Sequence, residues 1–424
     1  MDAQQNWAGN LTYSAAQPHR PTTVQEIQSI VKNSSKVKAL GTRHSFNTIA
    51  DTPDDLISLE RLNQVVALDR ERRTVTVEAG MKYGDLGVYL HSAGYALHNM
   101  ASLPHISVAG ACATATHGSG DQNGNLATAV AALELVTGEG EVVTLSREGD
   151  GDTFQGAVVG LGALGVVTKM TLDVVPTFAV RQEVYENLPR AQLDAHLDEI
   201  MSSAYSVSLL NDWQPDRVNL VWLKRLVTAD TAPEVAPQMF GATLAAADRH
   251  PIAELSAENC TPQMGVPGPW HERLPHFRMG FTPSNGEELQ TEYFVPRQHA
   301  VAALRAVTDL REGLAPLLQI SEIRTVAADT LWLSPCYRQP CVAIHFTWWK
   351  DWAGVAPFLP TLEASLAPFD ARPHWGKLFA MPTARVQALY ARLPDFRRLA
   401  QSLDPRGKFR NAFLDRYIFG EENT

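Results

Sequence analysis

The chain has 424 residues, of which 45% are apolar and 19% charged, with a formal net charge of -10 at pH 7. That length exceeds one ordinary hydrophobic core and predicts two domains or three in a compact protein. The acidic balance speaks against a nucleic-acid partner, whose phosphates it would repel; no apolar run approaches the ~20 residues that span a bilayer.

The opening stretch "MDAQQNWAGNLTYSAAQPHRP" has neither the basic start nor the apolar centre of a signal peptide. Cys112, Cys260, Cys336 and Cys341 lack CxxC spacing, which suits cytoplasmic thiols better than zinc ligands. A cytoplasmic monomer without a membrane partner is expected.

Along the chain, Thr23-x-x-Glu26 is a capping-box pattern, and Val24, Ile27, Ile30 and Val31 follow at helical spacing. "VKAL" (37–40) and "DLISL" (55–59) read as strands, and "QVVALDRERRTVTVEAG" (64–80) as strand, charged turn and strand. "YGDLGVYLHSAG" (83–94) predicts a helix stopped by glycine, and "AALELVTGEGEVVTLS" (131–146) a hairpin turning at Gly138-Glu139-Gly140. Beyond about residue 176 a helix is predicted over 187–205. Strands follow at 218–224, 289–295, 320–326 and 342–349, with helices at 298–317 and 354–366. Strands and helices after a separate small-residue region predict an α+β second domain.

Two glycine-bearing loops, 41–47 ("GTRHSFN") and 110–120, can present backbone N–H groups to a pyrophosphate. A neutral imidazole in the first loop, His44, is also a nucleophile capable of a covalent link. An ordinary loop histidine and a flexible loop are the plain alternatives. "GLGALG" (160–165) matches a dinucleotide fingerprint, but the strand-like "VVTKMTLDVV" follows it and no helix is available to cap a phosphate. None of the 13 histidines falls in an HExxH pattern, so a metal-dependent hydrolase is disfavoured and no metal is expected.

In the second half, Glu322 and Arg324 share one strand face, as do His345 and Thr347, and Gln290 and Glu292. Pattern alone leaves two readings open: a solvated outer face, or the polar floor of a pocket.

"ALGTRHSFN", "ASLPHISVAGACATATHGSG", "GALGVVT" and "DPRGKFRNAF" (404–413) together resemble the vanillyl-alcohol-oxidase-type FAD family. More narrowly they resemble its alditol (xylitol) oxidase branch. The likeness runs over nearly the whole chain, in the family's order. It implies a two-domain α+β fold of the PCMH/VAO type. Residues 1–175 would form the FAD-binding domain and 176–400 the substrate-binding cap, with the tail 401–424 returning to the first.

By the same resemblance, His44 is the histidine that carries FAD covalently. Ala39, Leu40, Gly41, Thr42, Arg43 and Ser45 match the first pyrophosphate loop, with Arg43 standing where the family often has glycine. Ser107, Gly110, Thr114, Ala115, Thr116 and His117 match the second loop, Val166 a backbone contact, and His374 a position near the isoalloxazine. Ser102, Glu322, Arg324, Thr347 and Lys377 match substrate-hydroxyl ligands, with Gln290 and His345 lining the pocket. Arg324 and Lys377 are expected to assist catalysis. Ala101 matches the small gate residue of oxidases. The implied reaction takes a terminal hydroxyl of xylitol or sorbitol to the aldehyde, with hydride going to FAD and O₂ reduced to H₂O₂. An aldonolactone oxidase of the gulonolactone type is the alternative, against which "ISEIRTVAADTLWLSP" and "HFTWW" weigh.

Overall fold

The computed structural model describes residues 5–228, 235–281 and 286–420, so the first four residues and the last four of the tail lie outside the described residues. The first helix forms where the capping pattern predicts it. Thr23 accepts from the Glu26 N–H at 3.2 Å, and Val24–Asn33 follows with Ile27 and Val31 buried. The return arm of the box is displaced by one residue: the Glu26 carboxylate accepts from the Thr22 N–H at 2.7 Å. The helix leads to the strand Val37–Leu40, parallel to Asp55–Ser58, which is parallel in turn to Gln17–His19.

Val65–Asp69, Thr74–Glu78, Val166–Asp173, Val130–Val136 and Val142–Ser146 form an antiparallel sheet in that order. Its alternation is the one the sequence shows, with Val75, Val77, Met170 and Leu172 buried. Gly140 has φ +74 in the predicted hairpin turn, and the helix Tyr83–Ser92 stops before Gly94 at φ +87. "GLGALG" opens no helix: Val166–Asp173 follows it at once. Its carbonyls instead meet a buried lysine, with Lys38 Nζ donating to Gly162 O at 2.9 Å.

The second sheet is antiparallel. Its described order is Gln238–Met239, Ala242–Leu244, Ala179–Pro189, Arg217–Val227, Ser206–Asn211, Leu318–Val326, Cys341–Trp349, Glu288–Pro296 and Arg372–Pro373, with Gly268–Pro269 also on Ala179–Pro189. Ala179–Pro189 and Ser206–Asn211 go beyond the sequence expectation. The first is disguised by polar side chains that the sheet buries, Arg181, Gln182 and Glu183. The helix predicted over 187–205 is correspondingly shorter, Arg190–Met201, because residues 187–189 finish a strand. The helix predicted over 298–317 breaks into Ala300–Thr308 and Arg311–Leu314.

One face of this sheet is apolar. Tyr293, Ile323, Ile344 and Phe346 pack with Leu197, Leu304 and Leu359 of the helices Arg190–Met201, Ala300–Thr308 and Trp352–Leu366. The period of two then places Gln290, Glu292, Glu322, Arg324, His345 and Thr347 on the opposite face. That face is covered as well, with Glu322 6% and Arg324 8% exposed. It is a buried polar floor, not a solvated surface.

The tail is built into the first core, where Phe409, Phe413, Leu414 and Ile418 are buried. Val37 N–H donates to Lys408 O at 2.9 Å, and Asn411 Nδ2 donates to the carbonyls of Thr48, Ile49 and Asp51 at 3.0, 3.1 and 2.8 Å. Asp404 organises the turn by accepting from the buried N–H groups of Lys408 and Phe409 at 2.9 and 2.8 Å. Asp404→Ala is expected to destabilise the protein by about 2–3 kcal/mol, because both donors lose their acceptor. The urea midpoint should fall; an unchanged midpoint would show that this carboxylate does not hold the tail.

Candidate active site

A cavity of about 1030 Å³ lies between the loops of the first sheet and the polar floor of the second. Residues 39–45, Ser107, Gly110, Thr114, Thr116 and His117 line one side. Gln290, Glu322, Arg324, His345, Thr347, His374 and Lys377 line the other, and Ala101 and Ser102 also reach it. Of the expected site residues, Ala115 and Val166 are not on the wall. Ala115 is fully buried with φ +54, and Val166 pairs with Val136 while its neighbours Gly165 and Val167 reach the cavity.

The glycines explain how the two loops meet. A Cβ on Gly41 would lie 2.5 Å from Ser107 Oγ, and one on Gly110 2.8 Å from the same atom. Gly110 belongs to the short helix Val108–Ala113, so the second segment is partly helical rather than an open loop. Arg43 has φ +64 with its side chain exposed. This is a backbone state that glycine adopts without strain.

The first loop is pinned through its carbonyls. Arg43 O accepts from Trp7 N–H at 2.8 Å, Ser45 O from Asn6 Nδ2 at 2.9 Å and Phe46 O from Asn10 Nδ2 at 2.8 Å. None of the backbone N–H groups of residues 41–45 is spent on a protein acceptor among the described residues. Such a run of uncommitted amides on a cavity wall suits an anionic group. His44 stacks on Trp7 at 5.6 Å, and its Nδ1 lies 3.0 Å from Thr42 Oγ1. Burial, followed by nearby Lys377 and His105, pushes its pKa down to about 3, so its imidazole is neutral near pH 7.

On the floor, Arg324 Nη2 donates to the Glu322 carboxylate and, at 2.8 Å, to Ser102 Oγ. Arg324 Nε is buried without a partner among the described residues. Burial, the largest single influence, opposes the charge on Glu322, but Arg324 and His276 together outweigh it and hold the carboxyl well below its usual range. His345 Nε2 lies 3.2 Å from Thr347 Oγ1, and across the sheet Gln290 pairs with Thr347 and Glu292 with His345. His117 Nε2 is 2.9 Å from Glu292 Oε1. Lys377 Nζ bonds Gln290 Oε1 and lies 4.9 Å above the Phe46 ring. Burial lowers its pKa to about 8, although Glu292 and Glu288 partly restore it. His374 is pushed down to about 3 by burial.

Two residues of this network are absent from the sequence expectation: His276, which reaches the cavity, and Lys224 behind it. His276 Nε2 contacts Glu322 Oε1 at 2.7 Å, and Lys224 Nζ contacts His276 Nδ1 at 3.1 Å. Lys224 had a signal, a lysine inside the apolar strand "VNLVWLK". His276 had none, since it lies in an irregular segment between strands.

A model of the FAD binding domain matches residues 16–146, and one of D-arabinono-1,4-lactone oxidase matches residues 283–417. The chain is 50% identical to an alditol oxidase of Streptomyces sp. over 413 residues, 96% of this chain and 97% of that protein. It is 27% identical to an L-gulonolactone oxidase of Mus musculus, over 98% of both chains. The fold matches the crystal structure of cholesterol oxidase from B. sterolicum with a TM-score of 0.78, at 15% identity, over 98% of this chain and 96% of that one. The residues present fit FAD, with free amides for a pyrophosphate and a neutral imidazole beside them on the wall of one large cavity. The chain belongs to the alditol oxidase family of FAD-binding oxidases, of the vanillyl-alcohol-oxidase type.

Proposed function

We propose that the protein oxidises the terminal hydroxyl of an alditol, such as xylitol or sorbitol, to the aldehyde and reduces O₂ to H₂O₂. The observation that carries this reading is the buried polar floor. Ser102, Gln290, Glu322, Arg324, His345, Thr347 and Lys377 converge on one cavity. A polyol offers hydroxyls that both donate and accept, so its site needs such a mixture of donors and acceptors. When bound, FAD supplies the hydride acceptor at this site and passes the electrons to O₂.

In this reading residues 39–45, Ser107, Gly110, Thr114, Thr116, His117 and His374 hold the FAD, and His44 carries it covalently. Glu322 accepts from a substrate hydroxyl. Ser102 Oγ already accepts from Arg324, which frees its own hydrogen for a substrate oxygen. Arg324 and Lys377 flank the reacting oxygen; the positive charge of Arg324 favours alkoxide character there. Lys377, in its neutral form, takes the hydroxyl proton. Ala101, small and on the cavity wall, leaves O₂ a path.

The test is anaerobic mixing with xylitol, sorbitol and gulonolactone in turn. Rapid bleaching of the flavin by an alditol is expected, followed by recovery in air with one H₂O₂ per turnover. Bleaching by the lactone alone would instead support the aldonolactone reading, for which the family model over residues 283–417 speaks. Recovery no faster in air than without it would remove the oxidase assignment.

A further inference from the structure

Behind Glu322 a polar chain leaves the cavity. Lys224 is 1% exposed and does not line the cavity. Its Nζ meets three atoms: the carbonyl oxygens of Leu274 and, at 3.2 Å, of Pro275, and His276 Nδ1 at 3.1 Å. An ammonium has three hydrogens and no lone pair, so these three acceptors match it one for one. His276 Nδ1 is then a lone pair, and the single proton of the neutral ring lies on Nε2. That nitrogen faces Glu322 Oε1 at 2.7 Å, where a proton is required, because the carboxylate is an acceptor only. The opposite arrangement, a neutral amine accepting from Nδ1–H, would set a bare Nε2 against the carboxylate. The contacts at both ends of the ring therefore demand the same tautomer. Burial, partly countered by Glu322, lowers His276 to about 4, in keeping with a neutral ring. The ring is clamped besides: it lies 4.8 Å from that of Trp222, and the His276 N–H donates to Ser102 O at 3.0 Å.

We propose that Lys224 and His276 are positioning residues for substrate binding: the lysine fixes the histidine as its Nε2–H tautomer, and that N–H fixes the Glu322 carboxylate on one oxygen. Arg324 holds the other oxygen. Bound from both sides, the carboxylate cannot rotate, and its remaining lone pairs meet a polyol hydroxyl in one geometry. This inference rests on the alditol reading for its substrate but not for its tautomer.

Two kinds of measurement test it. The ¹⁵N shifts of His276, assigned by difference from His276→Gln, are expected to show a protonated Nε2 and a bare Nδ1 below pH 7. A ring protonated on Nδ1, or on both nitrogens, would overturn the proposal, and this needs no substrate and no folded leucine variant. In steady-state kinetics with xylitol, His276→Leu is expected to raise KM roughly ten- to a hundredfold, since a buried carboxylate oxygen loses its donor. Its kcat should change far less, because hydroxyl binding is common to ground and transition states. Lys224→Met should raise KM in the same sense without altering the cavity wall. His276→Gln, which retains an N–H toward Glu322, should restore most of the loss. Bound flavin per chain should be unchanged throughout. A wild-type KM in the leucine variant, or equal impairment in the glutamine and leucine variants, would refute the positioning role. Failure of the wild type itself to oxidise xylitol would count against the substrate reading alone.

Discussion

Acid precipitation of a His44→Ala variant is expected to leave a colourless pellet with all flavin in solution, whereas the wild-type pellet stays yellow. The reason is the state of the imidazole. A nucleophile must keep a lone pair, and burial with Lys377 and His105 nearby holds His44 near a pKa of 3, so it is unprotonated near pH 7. Its ring is also oriented in advance, against Trp7 on one face and with Nδ1 at Thr42 Oγ1, which accepts in turn from Ser107 N–H at 3.2 Å. The variant should still bind FAD through the amides of residues 41–45, but loosely. Turnover is expected to drop by up to about a hundredfold, as for a reactant held slightly out of place. A yellow pellet from the variant would move the attachment to another residue; acid-soluble flavin from the wild type would remove the link altogether.

Lys377→Met is expected to lower kcat for xylitol by roughly a hundred- to ten-thousandfold, the range for loss of a positioned base. The pH profile separates this from a packing effect. The Lys377 amine titrates at about 8, chiefly because burial penalises its ammonium. Below that pH the group is protonated and cannot accept; above it the neutral amine can. The wild-type kcat/KM is therefore expected to rise through about pH 8 and then level. In the methionine variant this limb should vanish, leaving a flat profile over the same interval. A limb that persists unchanged would show that another group takes the proton. The lysine loss should fall on kcat and the His276→Leu loss on KM, so the two variants divide the site into chemistry and grip.

Much of this site could be read before any coordinates. The period of two placed Glu322 with Arg324 and His345 with Thr347, and the structure keeps each pair on one face. What pattern could not decide was which side of the sheet is covered. That depends on helices whose apolar faces, with Leu197, Leu304 and Leu359, fill the opposite side. The strand Ala179–Pro189 escaped because its buried residues include Arg181 and Glu183, an ion pair at 2.9 Å that looks like a surface charge pattern in one dimension. His276 escaped because irregular backbone has no period; it reaches Glu322 across 46 residues of chain. Gly110 was legible as a point of close approach but not as part of a helix, since six residues are too few to show a helical repeat.

The way residues 404–411 are stitched to Val37, Thr48, Ile49 and Asp51 makes the nucleotide loop a long-range construction, with Asn411 meeting Thr48 across 363 residues of chain. Val37–Leu40, which leads into the His44 loop, is completed by Lys408, from a segment that follows both large sheets in the chain. Bringing the two together closes a loop that contains both large sheets, an entropic cost that short-range contacts do not carry. A folding intermediate in which residues 404–411 have not docked therefore holds an incomplete nucleotide loop, however well its other strands are formed.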